Sequence, residues 1–215
     1  MQQPSTRASI ASEDASYLIA RLPALPIPSV QPVMIMLSGL PGTGKSYFAR
    51  QMASRCPIIV LESDGIRKAL FPKPTYLPSE SGRTFDALHI VAERLLRQNI
   101  SVLVDATNLI ERNRWVFYNI AKRSQAKLIL VRTIAPSHVV QRRLEQRGHS
   151  GGREDNSDAD WKVYMDMKPS AEPISREHHV VDTSNEIWPV LDQVAQEANR
   201  WIYESSSKEE MWTSN

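Results

Sequence analysis

Val33-Met34-Ile35-Met36-Leu37-Ser38-Gly39-Leu40-Pro41-Gly42-Thr43-Gly44-Lys45-Ser46 is the stretch on which the fold turns. Its first five residues form an unbroken apolar run, the pattern of a strand buried on both faces. Three glycines follow within six positions, and Lys45 to Ser54 read as a helix. Glycine is scarce in this chain, 8 in 215 residues, where average usage would give about 15. Clustering a scarce residue points to backbone angles that other residues resist. The spacing is G-x-x-x-x-G-K-S between a buried strand and a helix. There, loop N–H groups converge on phosphate oxygens and the helix N-terminus adds a positive dipole end. Gly39, Leu40, Pro41, Gly42, Thr43, Gly44, Lys45 and Ser46 are therefore the candidate nucleotide-binding residues. Lys45 is placed to reach the β- and γ-phosphates, and Ser46 to offer a hydroxyl to Mg²⁺. The plain alternative is a glycine-rich turn with a surface lysine.

Outward from this loop the pattern alternates between strand and helix. Strands are predicted at 57–61, 101–104, 127–134 and 178–181 besides 33–37. Helices are predicted at 64–70, 82–99, 110–124, 136–147, 159–167 and 186–204. In 82–99, Phe85, Leu88, Val91, Ala92, Leu95 and Leu96 follow the three-and-four spacing of an amphipathic helix. Pro72, Pro74 and Pro78 are read as stopping the helix that begins at Asp64. Such alternation implies right-handed βαβ units around a mostly parallel sheet, the α/β class. Residues 1–32 read as an appendage: polar chain over 1–14, one or two helical turns over 15–22, then a linker with Pro23, Pro26, Pro28 and Pro32. Residues 33–204 form the domain, and 205–215 a polar tail.

Composition narrows the classes. Hydrophobic residues make 41% and charged residues 23%, which suits a globular core. The formal charge of +2 does not demand a nucleic-acid partner. A single cysteine, Cys56, forms no internal disulfide and no four-cysteine zinc site, so a cytoplasmic setting is expected. No apolar run approaches the roughly 20 residues of a membrane span.

The remaining candidates follow the strands, whose C-terminal ends face the ligand crevice of a parallel sheet. Asp64 and Arg67, at i and i+3, share a helix face after the second strand. A carboxylate there can take the proton of an acceptor hydroxyl, and an arginine can hold an acceptor anion. As a bland reading, Asp64 caps a helix and Arg67 is solvated. Asp105-Ala106-Thr107-Asn108 follows the third strand. Asp105 suits Mg²⁺ orientation, and Thr107 and Asn108 point into the same crevice; an Asx turn is the alternative. No glutamate follows Asp105, so no hydrolytic base occupies that position, which favours transfer to a bound acceptor. No N-K-x-D guanine motif occurs, which favours ATP. Arg143 and Arg147 share a face before a glycine-rich loop, Gly148-His149-Ser150-Gly151-Gly152-Arg153, that can serve as a lid. Arg142 belongs to the outer face. Arg112 and Arg114 read as solvated, His178 and His179 as strand residues without a metal, Trp161, Tyr164, Trp188 and Trp201 as packing residues, and Cys56 as a small buried hydrophobe.

Four ordered motifs, Gly-x-Pro-Gly-x-Gly-Lys-Ser, Ser-Asp-x-x-Arg, Asp-x-Thr-Asn and Arg-x-x-x-Arg-Gly, resemble the AAA_33 / zeta-toxin-like P-loop kinases over about residues 33–168. Within that group the chain looks like the 5′-kinase domain of phage-type polynucleotide kinases. The resemblance implies a three-layer αβα P-loop fold with a five-stranded sheet of 2-3-1-4-5 type. It implies ATP and Mg²⁺, with transfer of the γ-phosphate to an acceptor hydroxyl. Carried over by position, Lys45, Asp64, Arg143 and Arg147 would be catalytic, with Asp64 the base. Arg67, Asp105, Thr107 and Asn108 would line the acceptor pocket, and Ser46 and Asp105 would lie near the metal. The three prolines between Phe71 and Ser81 depart from the pattern where acceptors are selected. The acceptor thus stays open among a polynucleotide 5′-hydroxyl, a nucleotide sugar and another small metabolite, and the oligomeric state is open too. The competing reading is a nucleotide-binding switch or ATPase acting on a protein partner.

Overall fold

In the computed structural model, which describes residues 6–149 and 159–204, the apolar segments pair as one parallel sheet. The strands are β1 (Val33–Ser38), β2 (Ile59–Glu62), β3 (Val102–Asp105), β4 (Lys127–Ile134) and β5 (His179–Asp182), in the order β2-β3-β1-β4-β5. β1 is the central strand, buried along its whole length, with Ile35 opposite Leu103 on one side and Ile129 on the other. Strands covered on both faces cannot alternate apolar with polar, hence the continuous run in the sequence.

Alternate residues of the sheet feed two cores. Met34, Met36, Leu61, Val102, Val104 and Leu130 pack under α4 (Pro78–Arg97) and α5 (Glu111–Arg123). Val33, Ile35, Leu37, Leu103, Ile129 and Val131 pack under α2 (Lys45–Ala53) and α8 (Trp188–Tyr203). Each fully buried Leu, Ile, Phe or Met contributes about 1.5–3 kcal/mol. The three-layer arrangement and strand order match the expectation.

Element boundaries differ from the sequence reading in instructive ways. α4 starts at Pro78, not at residue 82, because a proline at the first helical position loses no hydrogen bond. Glu80 holds the preceding turn, accepting the Thr75 and Tyr76 N–H groups at 2.9 Å each through Oε2. β2 starts at Ile59, later than Pro57, which has no N–H to give a neighbouring strand. α3 (Ser63–Leu70), α6 (Ser137–His149) and α7 (Trp161–Met167) lie within a few residues of expectation.

The largest difference is at the N-terminus. A polar chain was expected over 1–14, yet α1 runs Thr6–Ile19 and buries Ala11, Asp14, Ala15 and Leu18 against the sheet's helical layer. It adds Ala15 and Leu18 to the core under α4 and is tied to α4 by polar contacts as well. Residues 1–5, the lid residues 150–153 and the tail 205–215 lie outside the described residues, and Gly148 and His149, expected in the lid loop, instead end α6.

Candidate active site

A cleft of about 1020 Å³ opens at the C-terminal ends of β1, β2 and β3. Its floor is the loop after β1. Gly42 and Gly44 take φ of +76° and +84°, which a side chain disfavours. At Gly39 the constraint is space: an added Cβ would stand 2.7 Å from the Thr133 carbonyl oxygen. The loop closes on itself, with the Thr43 hydroxyl 2.7 Å from the Leu40 carbonyl and 2.8 Å from the Thr133 hydroxyl. Lys45 donates to the Leu40 carbonyl at 3.0 Å, and Lys45 and Ser46 both line the cleft. A concave nest opening a helix is the form of a polyphosphate site. The oxygen donors also suit Mg²⁺, which keeps several waters and needs few protein ligands: the Ser46 hydroxyl and the Asp105 carboxylate line the same cleft. Among the described residues no group of three or more His, Cys, Asp or Glu could form an all-protein metal cage.

The opposite wall comes from α3 and α4. Asp64 lies in the first turn of α3 and Arg67 one turn on, and both line the cleft. Arg67 is only 6% exposed. Its Nη2 donates to the Ser81 hydroxyl at 3.3 Å, and Glu80 stands 3.8 Å away, too far for a hydrogen bond. Nε and Nη1 are buried with no hydrogen-bond partner. The guanidinium lies 4.9 Å from the centre of the Tyr76 ring. Five donors and so few acceptors is a costly arrangement for a buried cation. Thr75 and Tyr76 hold the Glu80 carboxylate in its ionised form and below its ordinary pKa, through the Thr75 hydroxyl first.

Several sequence candidates land elsewhere. Asn108 does not line the cleft. It is 3% exposed, and its Nδ2 donates to the Leu37 carbonyl at 2.7 Å, tying β3's exit to β1. Thr107 lines the cleft while its carbonyl accepts the Gly39 N–H at 3.0 Å. Arg143 lines the cleft with Arg147 but commits its guanidinium to the fold. Its Nη1 donates to the Thr183 hydroxyl at 2.8 Å and its Nη2 to the Thr183 carbonyl at 2.6 Å. Thr183 in turn donates to the Thr43 carbonyl at 2.9 Å, so Arg143 buttresses the phosphate loop from behind. Burial holds its pKa below the ordinary arginine value, partly offset by Asp182. Arg142 is exposed, as expected.

Arg114 corrects the solvated reading. It is wholly buried and spends all its donors: Nε on Glu111 at 2.6 Å, Nη1 on the Asn108 and Leu109 carbonyls, Nη2 on the Glu172 and Pro173 carbonyls. Trp161 and Tyr164 pack face to face at 4.8 Å, and His179 meets Glu197 at 2.9 Å. Cleft residues missed in the sequence include Glu62, Tyr76, Ser81, Phe85 and Thr183. Two of these had a signal: Glu62 ends β2, and Thr183 follows β5, both strand ends at the crevice. Tyr76 had none, being a left-handed residue at φ +59° in a proline-rich turn.

Comparison with known proteins agrees with this geometry. Over 121 residues the chain is 28% identical to L-seryl-tRNA(Sec) kinase of Methanococcus maripaludis, covering 54% of this chain and 46% of that one. The chain thus spans about half the length of that relative. In fold it resembles Kti12 of Chaetomium thermophilum in complex with ADP-AlF3, with TM-score 0.61, 18% identity and coverage of 79% of this chain and 98% of that one. It also resembles the Mycobacterium tuberculosis APS kinase CysC in complex with AMPPNP and APS, with TM-score 0.58, 17% identity and coverage of 81% and 98%. The AAA_33 family model, described as an AAA domain, matches residues 34–174, and the chain belongs to that family of P-loop proteins.

Proposed function

We propose that this protein is an ATP-dependent phosphotransferase that moves the γ-phosphate of Mg·ATP to the hydroxyl of an anionic acceptor. One observation carries the reading: a single cleft is lined by Lys45 and Ser46 on one wall and by Asp64 and Arg67 on the other. Membership of the AAA_33 family and the seryl-tRNA(Sec) kinase relative support it.

The residues divide the work. The phosphate loop holds the polyphosphate through backbone N–H groups, with Lys45 set toward its terminal end. Mg²⁺, held beside Ser46 and Asp105, would neutralise charge on the β- and γ-oxygens. Asp64 receives the proton of the acceptor hydroxyl, a contribution of about 10²–10⁴-fold. Arg67 seats the acceptor's anionic group with the two donors the protein leaves unspent. Tyr76 and Phe85 flank that seat and offer flat apolar surface to the rest of the acceptor. Arg147 faces the phosphoryl group as it transfers, while Arg143 keeps the loop in shape. The acceptor is a polynucleotide 5′-end, a nucleotide sugar or another anionic small metabolite.

The test is ADP release from Mg·ATP against 5′-hydroxyl DNA and RNA oligomers, nucleotide sugars and phosphorylated or uncharged small alcohols. Stimulation by an anionic acceptor, lost in Asp64→Asn while nucleotide affinity is kept, is the expected result. Equal turnover in wild type and Asp64→Asn, unstimulated by any acceptor, would favour the switch or ATPase reading.

A further inference from the structure

We propose that α1 is a brace for the acceptor wall, and that Asp14 is a positioning residue for acceptor binding although it never touches the acceptor. This rests on the phosphotransfer reading above and extends it to a segment outside the family match, which begins at residue 34.

Asp14 is the buried acidic residue of α1, 7% exposed. Arg83 of α4 grips it with both arms, Nε to Oδ2 at 2.6 Å and Nη2 to Oδ1 at 2.7 Å. A bidentate pair fixes orientation as well as distance, which a single contact does not. Arg83 also lies over the Phe71 ring at 5.3 Å. Phe71 closes α3, its N–H donating to the Arg67 carbonyl at 2.8 Å. Arg83 itself sits between Ser81, which bonds Arg67, and Phe85, which lines the cleft. The contacts therefore run from Asp14 through Arg83 and Phe71 to the Arg67 backbone, and Arg83 stands two residues from Ser81, which bonds the Arg67 side chain. Two further ties hold α1 along the same helix: Arg7 to Asp86 at 2.7 Å, and Arg94 to Ser12 at 2.8 Å and Ser16 at 2.9 Å.

α1 holds α4 in two ways: Ala15 and Leu18 share a core with Leu88, Val91 and Leu95, and polar ties run along the helix from Arg83 to Arg94. Of those ties the bidentate Asp14–Arg83 pair is the one beside the acceptor wall, because Arg83 also lies over Phe71. The phosphate loop has no part in this chain of contacts. The consequence is a split: disturbing Asp14 loosens the acceptor wall and leaves the nucleotide half intact.

Two readouts on the full chain test this. Amide hydrogen exchange needs no acceptor. In Asp14→Asn, the N–H groups of Phe71, Thr75 and Tyr76 should exchange about tenfold faster, the loss of one charge-assisted contact, with those of Thr43 and Phe48 unchanged. With whichever acceptor stimulates turnover, the acceptor KM should rise about tenfold while the ATP KM stays within about twofold, and Asp14→Glu should recover part of the loss. Unchanged exchange at Phe71, Thr75 and Tyr76, or equal acceleration at the phosphate loop, overturns the brace. So does an ATP KM that moves with the acceptor KM. Were no acceptor to stimulate the wild type, phosphotransfer would be the reading in trouble, and exchange would still decide the brace.

Discussion

Two buried arginines show how a residue's role is read from what its donors do. Arg114 has every N–H satisfied and acts as a pin between β3's exit and the segment at Glu172 and Pro173. Arg67 is nearly as buried and keeps Nε and Nη1 unspent. Opposite outcomes are expected on replacing each by methionine. Arg114→Met should lose about 3–5 kcal/mol, because several buried carbonyls and Glu111 lose their donor. Arg67→Met should keep or gain stability, by up to about 1–2 kcal/mol, while the acceptor KM rises. Thermal melts read both, at roughly 2–4 °C per kcal/mol for a chain of this size. The sequence separated them only in part: Arg67 stands one turn after Asp64 at a strand end and reads as an acceptor residue, whereas nothing local to Arg114 tells that distant carbonyls at Glu172 and Pro173 bury it. Cys56 was legible as a buried hydrophobe. Burial pushes its thiol up to about 11, so alkylation at pH 8 should be slow until the protein unfolds.

At the scale of elements, strands and phosphate loop were legible because each rests on a strong local rule. Continuous apolar runs mean two-sided burial, and a glycine cluster before Lys-Ser means a phosphate nest. What failed was α1, where a partner 69 residues away decides the structure, Arg83 for Asp14, and the turn before α4, where Glu80 reaches back four and five residues to the Tyr76 and Thr75 N–H groups. α4 carries a further consequence. His89 packs edge-on against Phe117 at 4.7 Å and near Phe85 at 6.0 Å. Burial holds its pKa down to about 4, with Asp86 opposing weakly. The folded protein keeps His89 neutral where the unfolded chain, with a pKa near 6.5, would protonate. The stability tied to neutral His89 is therefore complete above about pH 6.5 and is lost as the pH falls toward 4, on the order of 3 kcal/mol in all. Urea titrations at pH 7 and pH 5 should show that His89→Leu has a smaller acid penalty than wild type. An equal penalty would place the acid sensitivity elsewhere.

For the whole molecule, the parallel sheet brings residues from four segments to one edge: the loop after β1, the start of α3, the exit of β3 and the end of α6. That convergence follows from topology, so the sequence located the cleft and the Asp64 and Arg67 part of its acceptor wall, but not Tyr76, Ser81 and Phe85. No helix among the described residues is long and apolar enough to cross a membrane. The near balance of charge, +2 over 215 residues, leaves anion recognition to local groups such as Arg67. Acceptor affinity should accordingly fall only gently with salt for a small acceptor, and steeply for a polynucleotide that covers many phosphates, which a KM series from 50 to 200 mM salt would read. The central claim is that the phosphoryl group goes to a bound hydroxyl. Phosphorus NMR of Mg·ATP with the stimulating acceptor follows that group directly. A phosphate-ester signal growing in step with ADP, absent in Asp64→Asn, is the result this account predicts. Inorganic phosphate alone growing in step with ADP, equally in wild type and Asp64→Asn, would contradict it.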